Sequence, residues 1–371
     1  MRSTRQLPVL LLAGLLLLAI PAGAKSPAPS SGVPAQPEAA SGRQNKAGWA
    51  SKKFAVAAAH PLAVEAGYQI LKAGGSAVDA AVAVQMVLAL VEPQSSGIGG
   101  GAFMLHHDGQ ITEAYDGRET APSEADEDLF LDAQRQPLNF QAAAVGGRAV
   151  GTPGVLHMLA LAHQQHGRLP WRQLFQPAIT LAEEGFPVGL RLHALLAEAD
   201  TLRQDPDAAA YFFDSQGRPW PVGHRLKNPE LGAVLRRIAD EGARVFYEGE
   251  IATAIVRKVR EHPGNPGRLT LADLADYEST VRPPLCFVYS ARPLSPPRAR
   301  QRDVRICGMP PPSSGALAMG QILGLLAHTP ASRFPLQRSP SGPVPGPDWL
   351  HLYAEASRLA FADRAVYVAD P

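Results

Sequence analysis

Residues 71–91 read LKAGGSAVDAAVAVQMVLALV and contain the most informative helix signal in the chain. Ser76 can cap a helix over residues 77–91. Apart from Asp79 and Gln85, this helix is apolar nearly all round. A helix without a polar face must be covered on every side, so the pattern indicates a buried helix in a protein of several layers.

The neighbouring segments alternate between strand and helix signals. A short apolar run at 54–59 predicts a strand that leads into a helix. Strand-like runs at 102–107 and 110–115 flank Asp108-Gly109, a pair typical of type I′ hairpin turns. The sequence therefore predicts an α/β fold with an antiparallel hairpin after the buried helix.

The second half of the chain continues the mixed pattern. Helical patterns cover residues 154–185, 228–262, 316–327 and 349–366. Two strand-like runs at 285–289 and 304–307 are separated by an excursion rich in Pro and Arg at 292–302. We predict that the two runs form a hairpin with an extended tip.

Composition excludes some classes of function. The 371 residues include 35 Lys and Arg against 34 Asp and Glu, a formal net charge of +1. Binding to nucleic acid by neutralising phosphates needs a surplus of basic side chains, so no nucleic-acid partner is expected. With 46% hydrophobic and 19% charged residues, the chain can bury a sizeable core.

The N-terminus has the pattern of a secretory signal peptide. Arginines precede an apolar run at 7–20, and small residues stand before a cleavage site after Ala24. A membrane anchor would need about 20 apolar residues, so cleavage is favoured and no stable membrane insertion is expected. We predict a signal peptide at 1–24, a flexible leader at 25–52, a folded part at 53–371, and a periplasmic or secreted protein.

Two short motifs suggest a cofactor or a metal but lack the necessary context. Residues 97–102 fit the G-x-G-x-x-A spacing of a dinucleotide loop, yet a strand follows where such a loop needs a long helix. We interpret these glycines as a tight turn with close backbone packing. His163 and His166 have H-x-x-H spacing without a Glu or Cys cluster, which favours a solvated helix face over a metal site. No cofactor and no metal are predicted.

The 2 cysteines, Cys286 and Cys307, lie on the two strand-like runs of the second predicted hairpin. Antiparallel pairing could bring them opposite one another, so a disulfide and two buried thiols are equally open. Nothing nearby would stabilise a thiolate, and no catalytic role is predicted for either residue.

A polar cluster, YDGRETAP at 115–122, follows the first hairpin. Arg118 lies there at a strand end, where loops often carry active-site residues. The planar guanidinium of an arginine can bind a carboxylate through two parallel hydrogen bonds. On spacing alone, pairing of Arg118 with Asp116 or Glu119 at the surface is the simpler interpretation.

Several segments together resemble the γ-glutamyltranspeptidase, or glutathione hydrolase, family. They are residues 71–83, 97–105, 116–122, 151–154, 309–315 and 354–356 with 361–364. The segments occur in order over nearly the whole mature chain, which makes the resemblance specific.

The resemblance implies an N-terminal nucleophile hydrolase with a four-layer α/β/β/α sandwich, made as a precursor that cleaves itself into a large and a small subunit. The N-terminal Thr of the small subunit would attack a γ-glutamyl amide, as in glutathione, and the acyl group would pass to water or to an amine acceptor. Arg118 matches the arginine that binds the α-carboxylate of the γ-glutamyl group. This match reverses the interpretation of Arg118 as a surface ion pair, and it implies no cofactor.

The nucleophile motif of the family, a Thr-Thr-His-like sequence, does not occur in the 371 residues. We therefore expect most of a large subunit, incomplete as a fold and inactive without a partner that supplies the Thr, and no catalytic residue is assigned in it. Two alternatives stay open: a non-catalytic remnant that at most binds glutamyl compounds, and a relative of the cephalosporin acylases. A glutaryl group lacks the α-amino acid end that this site would recognise, which favours a γ-glutamyl substrate.

Overall fold

The computed structural model describes residues 50–291, 302–339 and 342–369. The predicted signal peptide at 1–24, the leader up to residue 49 and most of the excursion at 292–302 lie outside these residues. Within the described ranges, no helix combines the length and the apolar character needed to cross a membrane.

Helices and short strands alternate along the described chain. The helices are α1 (Pro61–Lys72), α2 (Ala77–Val91), α3 (Phe140–Ala144), α4 (Val155–His166), α5 (Trp171–Glu184), α6 (Leu190–Ala197), α7 (Pro206–Phe212), α8 (Pro229–Glu241), α9 (Arg244–Tyr247), α10 (Gly249–Arg260), α11 (Leu271–Ala275), α12 (Gly315–Ala327) and α13 (Pro347–Tyr367). The strands are β1 (Ala102–His107), β2 (Thr112–Gly117), β3 (Phe186–Pro187), β4 (Arg225–Leu226), β5 (Thr280–Arg282), β6 (Leu285–Ala291), β7 (Arg302–Gly308), β8 (Gln337–Ser339) and β9 (Gly342–Val344).

Helix α2 is the buried helix that the sequence predicts. Ser76 caps it, and Asp79 in its first turn accepts a hydrogen bond from the Ser76 backbone N–H at 2.8 Å. The helix packs against α1, α4 and α5. Val82 and Met86 are fully buried. The prediction is confirmed, and α2 is the centre of the main hydrophobic core.

The carboxylate of Asp79 is fully buried and also joins α2 to the loop after α4. It accepts hydrogen bonds from the backbone N–H groups of Arg168 and Leu169, at 3.0 and 3.1 Å. A charged group can be buried at low cost when several donors surround it, as they do here.

Strands β1 and β2 form the predicted antiparallel hairpin, and β5 extends the sheet in the order β1-β2-β5. The predicted two-residue turn is wrong, because β2 begins at Thr112 and the loop covers residues 108–111. The physical reason is the Asp108 side chain, which accepts backbone hydrogen bonds from Gln110 and Ile111 at 2.8 Å and stabilises the longer loop.

The apolar run at 54–59 is not a strand, which corrects a second prediction. No strand among the described residues pairs with it, so its backbone forms no ladder. Ala55 and Val56 instead line a cavity of about 420 Å³ beside α2 and β1. None of residues 54–59 is buried, and the run alternates between half-buried and exposed side chains. An apolar run in the sequence does not distinguish a paired strand from an unpaired extended segment.

Strands β6 and β7 form the second predicted hairpin, with Cys286 opposite Cys307. The two cysteines form a disulfide with a Cα–Cα distance of 4.1 Å, so the disulfide alternative is the correct one. Helix α12 packs against this hairpin and α13 packs against α12. A small hydrophobic cluster, which includes Ile322 and Ala360, lies between these two helices.

Candidate functional site

Arg118 directly follows β2, and its backbone is held from both sides. Its N–H donates a hydrogen bond to Asp116 Oδ1 at 3.0 Å. Its carbonyl oxygen accepts one from the Tyr277 hydroxyl at 2.7 Å. Burial raises the pKa of Tyr277, so its hydroxyl keeps the proton that it donates. The start of the Arg118 side chain is therefore fixed.

Asp116 does not neutralise the Arg118 guanidinium. Asp116 is 6% exposed, and its Oδ2 lies 2.7 Å from Nε of Arg282 on β5. The Asp116 carboxylate therefore pairs with Arg282, on the neighbouring strand, and not with Arg118. The interpretation that Arg118 forms a surface ion pair with Asp116 is therefore wrong.

The other candidate partner, Glu119, makes only a long contact with Arg118. Nε of Arg118 lies 3.9 Å from Glu119 Oε2, near the outer limit for an ion pair, and the arginine side chain is 52% exposed. The Glu119 carboxylate instead lies against Gly101, where a Cβ atom would come within 2.5 Å of Oε2. Such an exposed pair contributes little and leaves the guanidinium accessible.

Arg118 and Arg148 line the same open cavity, of about 520 Å³. Arg148 is committed to the fold, because its Nε donates to Asn265 Oδ1 at 2.6 Å and its Nη1 donates to the Leu129 carbonyl at 2.7 Å. No such bond joins the Arg118 guanidinium to a described residue. Of these two arginines, Arg118 is the one available to an anion in the cavity.

The glycine-rich loop at 97–101 packs against the turn at 151–154, as the tight-turn interpretation predicts. The backbone N–H groups of Gly154 and Val155 donate to the Gly100 carbonyl at 3.0 and 3.1 Å. Strand β1 follows this loop, so the helix that a dinucleotide site needs is replaced by a strand.

The histidines of the H-x-x-H motif do not lie on a solvated helix face, which corrects that prediction. His163 Nε2 lies 3.5 Å from the buried Asp79 carboxylate. His166 Nε2 lies 2.9 Å from Glu113 Oε2. Both partners are distant in sequence, so the spacing of the histidines could not reveal them.

Sequence reasoning missed Tyr277 and Arg282, which position Arg118 and Asp116. They are separated from their partners by 159 and 166 residues. No local motif identifies either residue. Both come to the site because β5 pairs with β2, with Thr280 opposite Asp116.

Solved structures with the same fold identify the class of this protein. A γ-glutamyltranspeptidase from Helicobacter pylori has the same fold with a TM-score of 0.76 and 32% identity, covering 87% of this chain and 86% of that one. A cephalosporin acylase from Bacillus halodurans follows with a TM-score of 0.65 and 28% identity, covering 88% of this chain and 58% of that one. The predicted class, an α/β N-terminal nucleophile hydrolase, is confirmed.

The chain belongs to the γ-glutamyltranspeptidase family, because the family profile described as Gamma-glutamyltranspeptidase matches residues 63–371. A curated relative, the glutathione hydrolase proenzyme of Bacillus subtilis, is 36% identical over 323 residues, which cover 85% of this chain and 50% of that protein. The chain spans about half the length of the curated relatives it matches.

Proposed function

We propose that this chain forms part of a γ-glutamyl hydrolase or transferase, in which Arg118 binds the α-carboxylate of the γ-glutamyl group. The observation that carries the proposal is a half-exposed guanidinium on an open cavity, attached to backbone that Asp116 and Tyr277 hold. A fixed arginine fork can accept a carboxylate through two parallel hydrogen bonds.

The proposed reaction is an acyl transfer in two steps. A Thr hydroxyl attacks the γ-carbonyl carbon, the O–C bond forms as the C–N bond breaks, and the amine leaves with a proton. Water or an acceptor amine then attacks the γ-glutamyl ester and returns the proton to the Thr oxygen. The Thr belongs to a small subunit that self-cleavage of a precursor produces, and the word proenzyme in the name of the B. subtilis relative supports this part.

The signal-peptide pattern at 1–24 supports a periplasmic or secreted protein. Glutathione or another γ-glutamyl compound is the proposed substrate, and the reaction uses no metal or organic cofactor. Sequencing the source DNA beyond the Pro371 codon tests the proposed small subunit. A Thr-Thr-His-like motif in the same frame would support a self-processing precursor, and an in-frame stop would support the non-catalytic remnant.

The role of Arg118 is tested by measuring the binding of L-glutamate to the purified chain by calorimetry. Arg118→Lys keeps the charge but loses the fork, so we expect binding to weaken roughly tenfold, the cost of one charge-assisted hydrogen bond. Arg118→Gln should weaken it further. Arg172→Gln is the matched control, because this arginine is 72% exposed on α5 and pairs with Asp240.

A second ligand, without an α-carboxylate, tests whether Arg118 recognises that group. γ-Aminobutyrate is L-glutamate without its α-carboxylate and keeps the amino group and the γ-carboxylate. It should therefore bind weakly to the wild type and be insensitive to Arg118→Lys. Equal binding of L-glutamate to the wild type and to Arg118→Gln would contradict the proposal.

The likeness to the cephalosporin acylase supports a second candidate, an acylase that takes a glutaryl group. Glutarate differs from L-glutamate by the missing α-amino group. Tighter binding of glutarate than of L-glutamate would favour the acylase, and the reverse order would favour the γ-glutamyl enzyme.

A further inference from the structure

Two histidines and a glutamate meet at the turn end of the β1–β2 hairpin, away from Arg118. His106 and Glu113 are cross-strand partners in the hairpin register. His166 is the last residue of α4. Its Nε2 lies 2.9 Å from Glu113 Oε2, and His106 Nδ1 lies 3.6 Å from the same oxygen. One ligand atom from each of the three side chains lies within 4.8 Å of the other two.

The two nitrogen–oxygen separations are close to those of tetrahedral coordination, although the rings have still to turn. Zinc bonds to His nitrogen and carboxylate oxygen measure about 2.0–2.2 Å, so two ligand atoms on a tetrahedron lie about 3.4 Å apart. The distances of 2.9 and 3.6 Å fall on either side of this value. Two imidazoles and one carboxylate are a ligand set that Zn²⁺ and its neighbours in the transition series accept.

The site is shielded but not closed. The side chains of His106 and His166 are 15% and 23% exposed, whereas that of Glu113 is 34% exposed. Protein therefore surrounds the imidazoles, and the carboxylate side remains accessible to an ion and to water. An accessible fourth position is what a site with three protein ligands requires.

His106 Nδ1 is buried and has no hydrogen-bond partner among the described residues. A buried polar atom without a partner destabilises the folded state, so a ligand for it would stabilise the fold. The His106 and His166 rings are stacked, with centroids 3.8 Å apart and planes inclined by 25°. Because each lone pair lies in the plane of its ring, a shared metal ion requires the rings to rotate out of this stack.

The Tyr115 hydroxyl adds an oxygen at the same place. It lies 2.8 Å from His166 Nε2 and also hydrogen-bonds to the Gln165 side chain. A metal ion would replace the contacts of Nε2 with Tyr115 and Glu113. Metal ligation requires the lone pair of that nitrogen, so binding releases any proton that Nε2 carries.

We propose that His106, Glu113 and His166 form a binding site for a divalent transition metal ion, with Zn²⁺ as the test ion, which fixes the β1–β2 hairpin to the end of α4. Arg118 lies five positions after Glu113 along extended chain, a distance of about 17 Å. The ion therefore stabilises the fold and does not touch a ligand of Arg118. The proposal does not depend on the proposed function.

The test is calorimetric titration of the tag-free chain with zinc chloride. We expect one ion per chain with a micromolar or lower Kd, and we expect His106→Gln and Glu113→Gln each to raise this Kd by about tenfold or more. His107→Gln is the matched control, because the neighbouring His107 is exposed and contacts Thr112 and the Ile111 carbonyl instead. Its affinity should equal that of the wild type.

Cobalt provides a second readout. Co²⁺ at this site should give the visible absorption of a tetrahedral complex in the wild type and in His107→Gln, and this absorption should be absent in His106→Gln. His106→Gln is a better test than a variant of His166, because His106 Nδ1 has no hydrogen bond to lose, whereas His166 Nε2 contacts the Tyr115 hydroxyl. Absence of stoichiometric zinc binding by the folded wild type, or unchanged affinity in folded His106→Gln, would overturn the proposal.

Discussion

At Gly154, a single hydrogen atom in place of a side chain lets the candidate site form. A Cβ atom there would lie 2.4 Å from the Gly117 carbonyl oxygen and 2.0 Å from the Tyr277 hydroxyl. The tyrosine could rotate away, but the carbonyl is backbone at the end of β2. The loops around Arg118 are therefore close-packed because glycine occupies this position.

We predict that Gly154→Ala lowers the free energy of unfolding by about 1–3 kcal/mol, the usual cost of overpacking a closely packed site. Urea denaturation of the purified chain measures this change. Gly99→Ala is the control, because a Cβ atom at Gly99 meets nothing within 4 Å, and we expect it to change the free energy by less than about 0.5 kcal/mol. Equal stability of the two variants would contradict the packing argument.

Single residues were predictable where their chemistry is local. Arg118 could be noticed because a strand end and a guanidinium are both visible in sequence, but only the family resemblance favoured a binding role over a surface ion pair. The residues that hold the Arg118 backbone and pair with Asp116 were not visible in the sequence. Tyr277 and Arg282 lie near the site because β5 pairs with β2. The same reason explains His166, whose contact with Glu113 joins a helix to a strand.

At the scale of elements, the short helix α11 is built around Asp273. Its carboxylate accepts hydrogen bonds at 2.8 Å from the backbone N–H groups of Thr270, the helix cap, and Ser123, in the loop after the Arg118 cluster. Burial alone would raise the pKa of this carboxyl, but the hydrogen bonds from Ser123 and Thr270 outweigh burial and lower the pKa. One carboxylate thus caps α11 and anchors the loop.

We predict that Asp273→Asn destabilises the chain by about 1 kcal/mol at pH 7, the usual cost of weakening a helix cap. The pKa of Asp273 is lower in the folded state, so its ionised form stabilises the fold above the unfolded pKa of about 4. This contribution disappears as pH falls through the folded pKa. The difference between wild type and variant should therefore be constant from about pH 7 to 5 and narrow below about pH 4.

Urea denaturation at several pH values measures this difference. Asp276→Asn is the matched control, because Asp276 is exposed at the other end of the same helix. A difference for Asp273→Asn that grows as the pH falls would show that the sign is wrong.

Helices and strands were predictable where the signals that define them lie close together in the sequence. Helix α2 follows from its apolar run and its Ser76 cap, and both hairpins follow from pairs of strand-like runs that are close together in the sequence. The strand predicted at 54–59 is wrong, because strand pairing depends on tertiary structure and an apolar pattern contains no information about it. The two-residue turn predicted at Asp108-Gly109 is wrong, because the Asp108 side chain stabilises a longer loop.

At the scale of the whole molecule, the described residues contain two hydrophobic clusters of very different size. The main one includes α2, where Val82 and Met86 are fully buried. The smaller one, between α12 and α13, consists of five buried residues with two half-buried neighbours. Helix α13 also leaves large apolar side chains in solvent, such as Phe361 at 55% exposure. Burial, and therefore stability, is uneven along the chain.

We predict that backbone amides of α13 exchange with deuterium at least about tenfold faster than those of α2, because opening α13 exposes little buried surface and opening α2 disrupts the main core. Hydrogen exchange followed by mass spectrometry measures both helices in one sample of the 371-residue chain. Helix α5, which packs against α2 and α8, is the internal control and should exchange as slowly as α2. Equal protection of α13 and α2 would mean that the small cluster unfolds together with the main core, so that the chain is one cooperative unit despite its uneven burial.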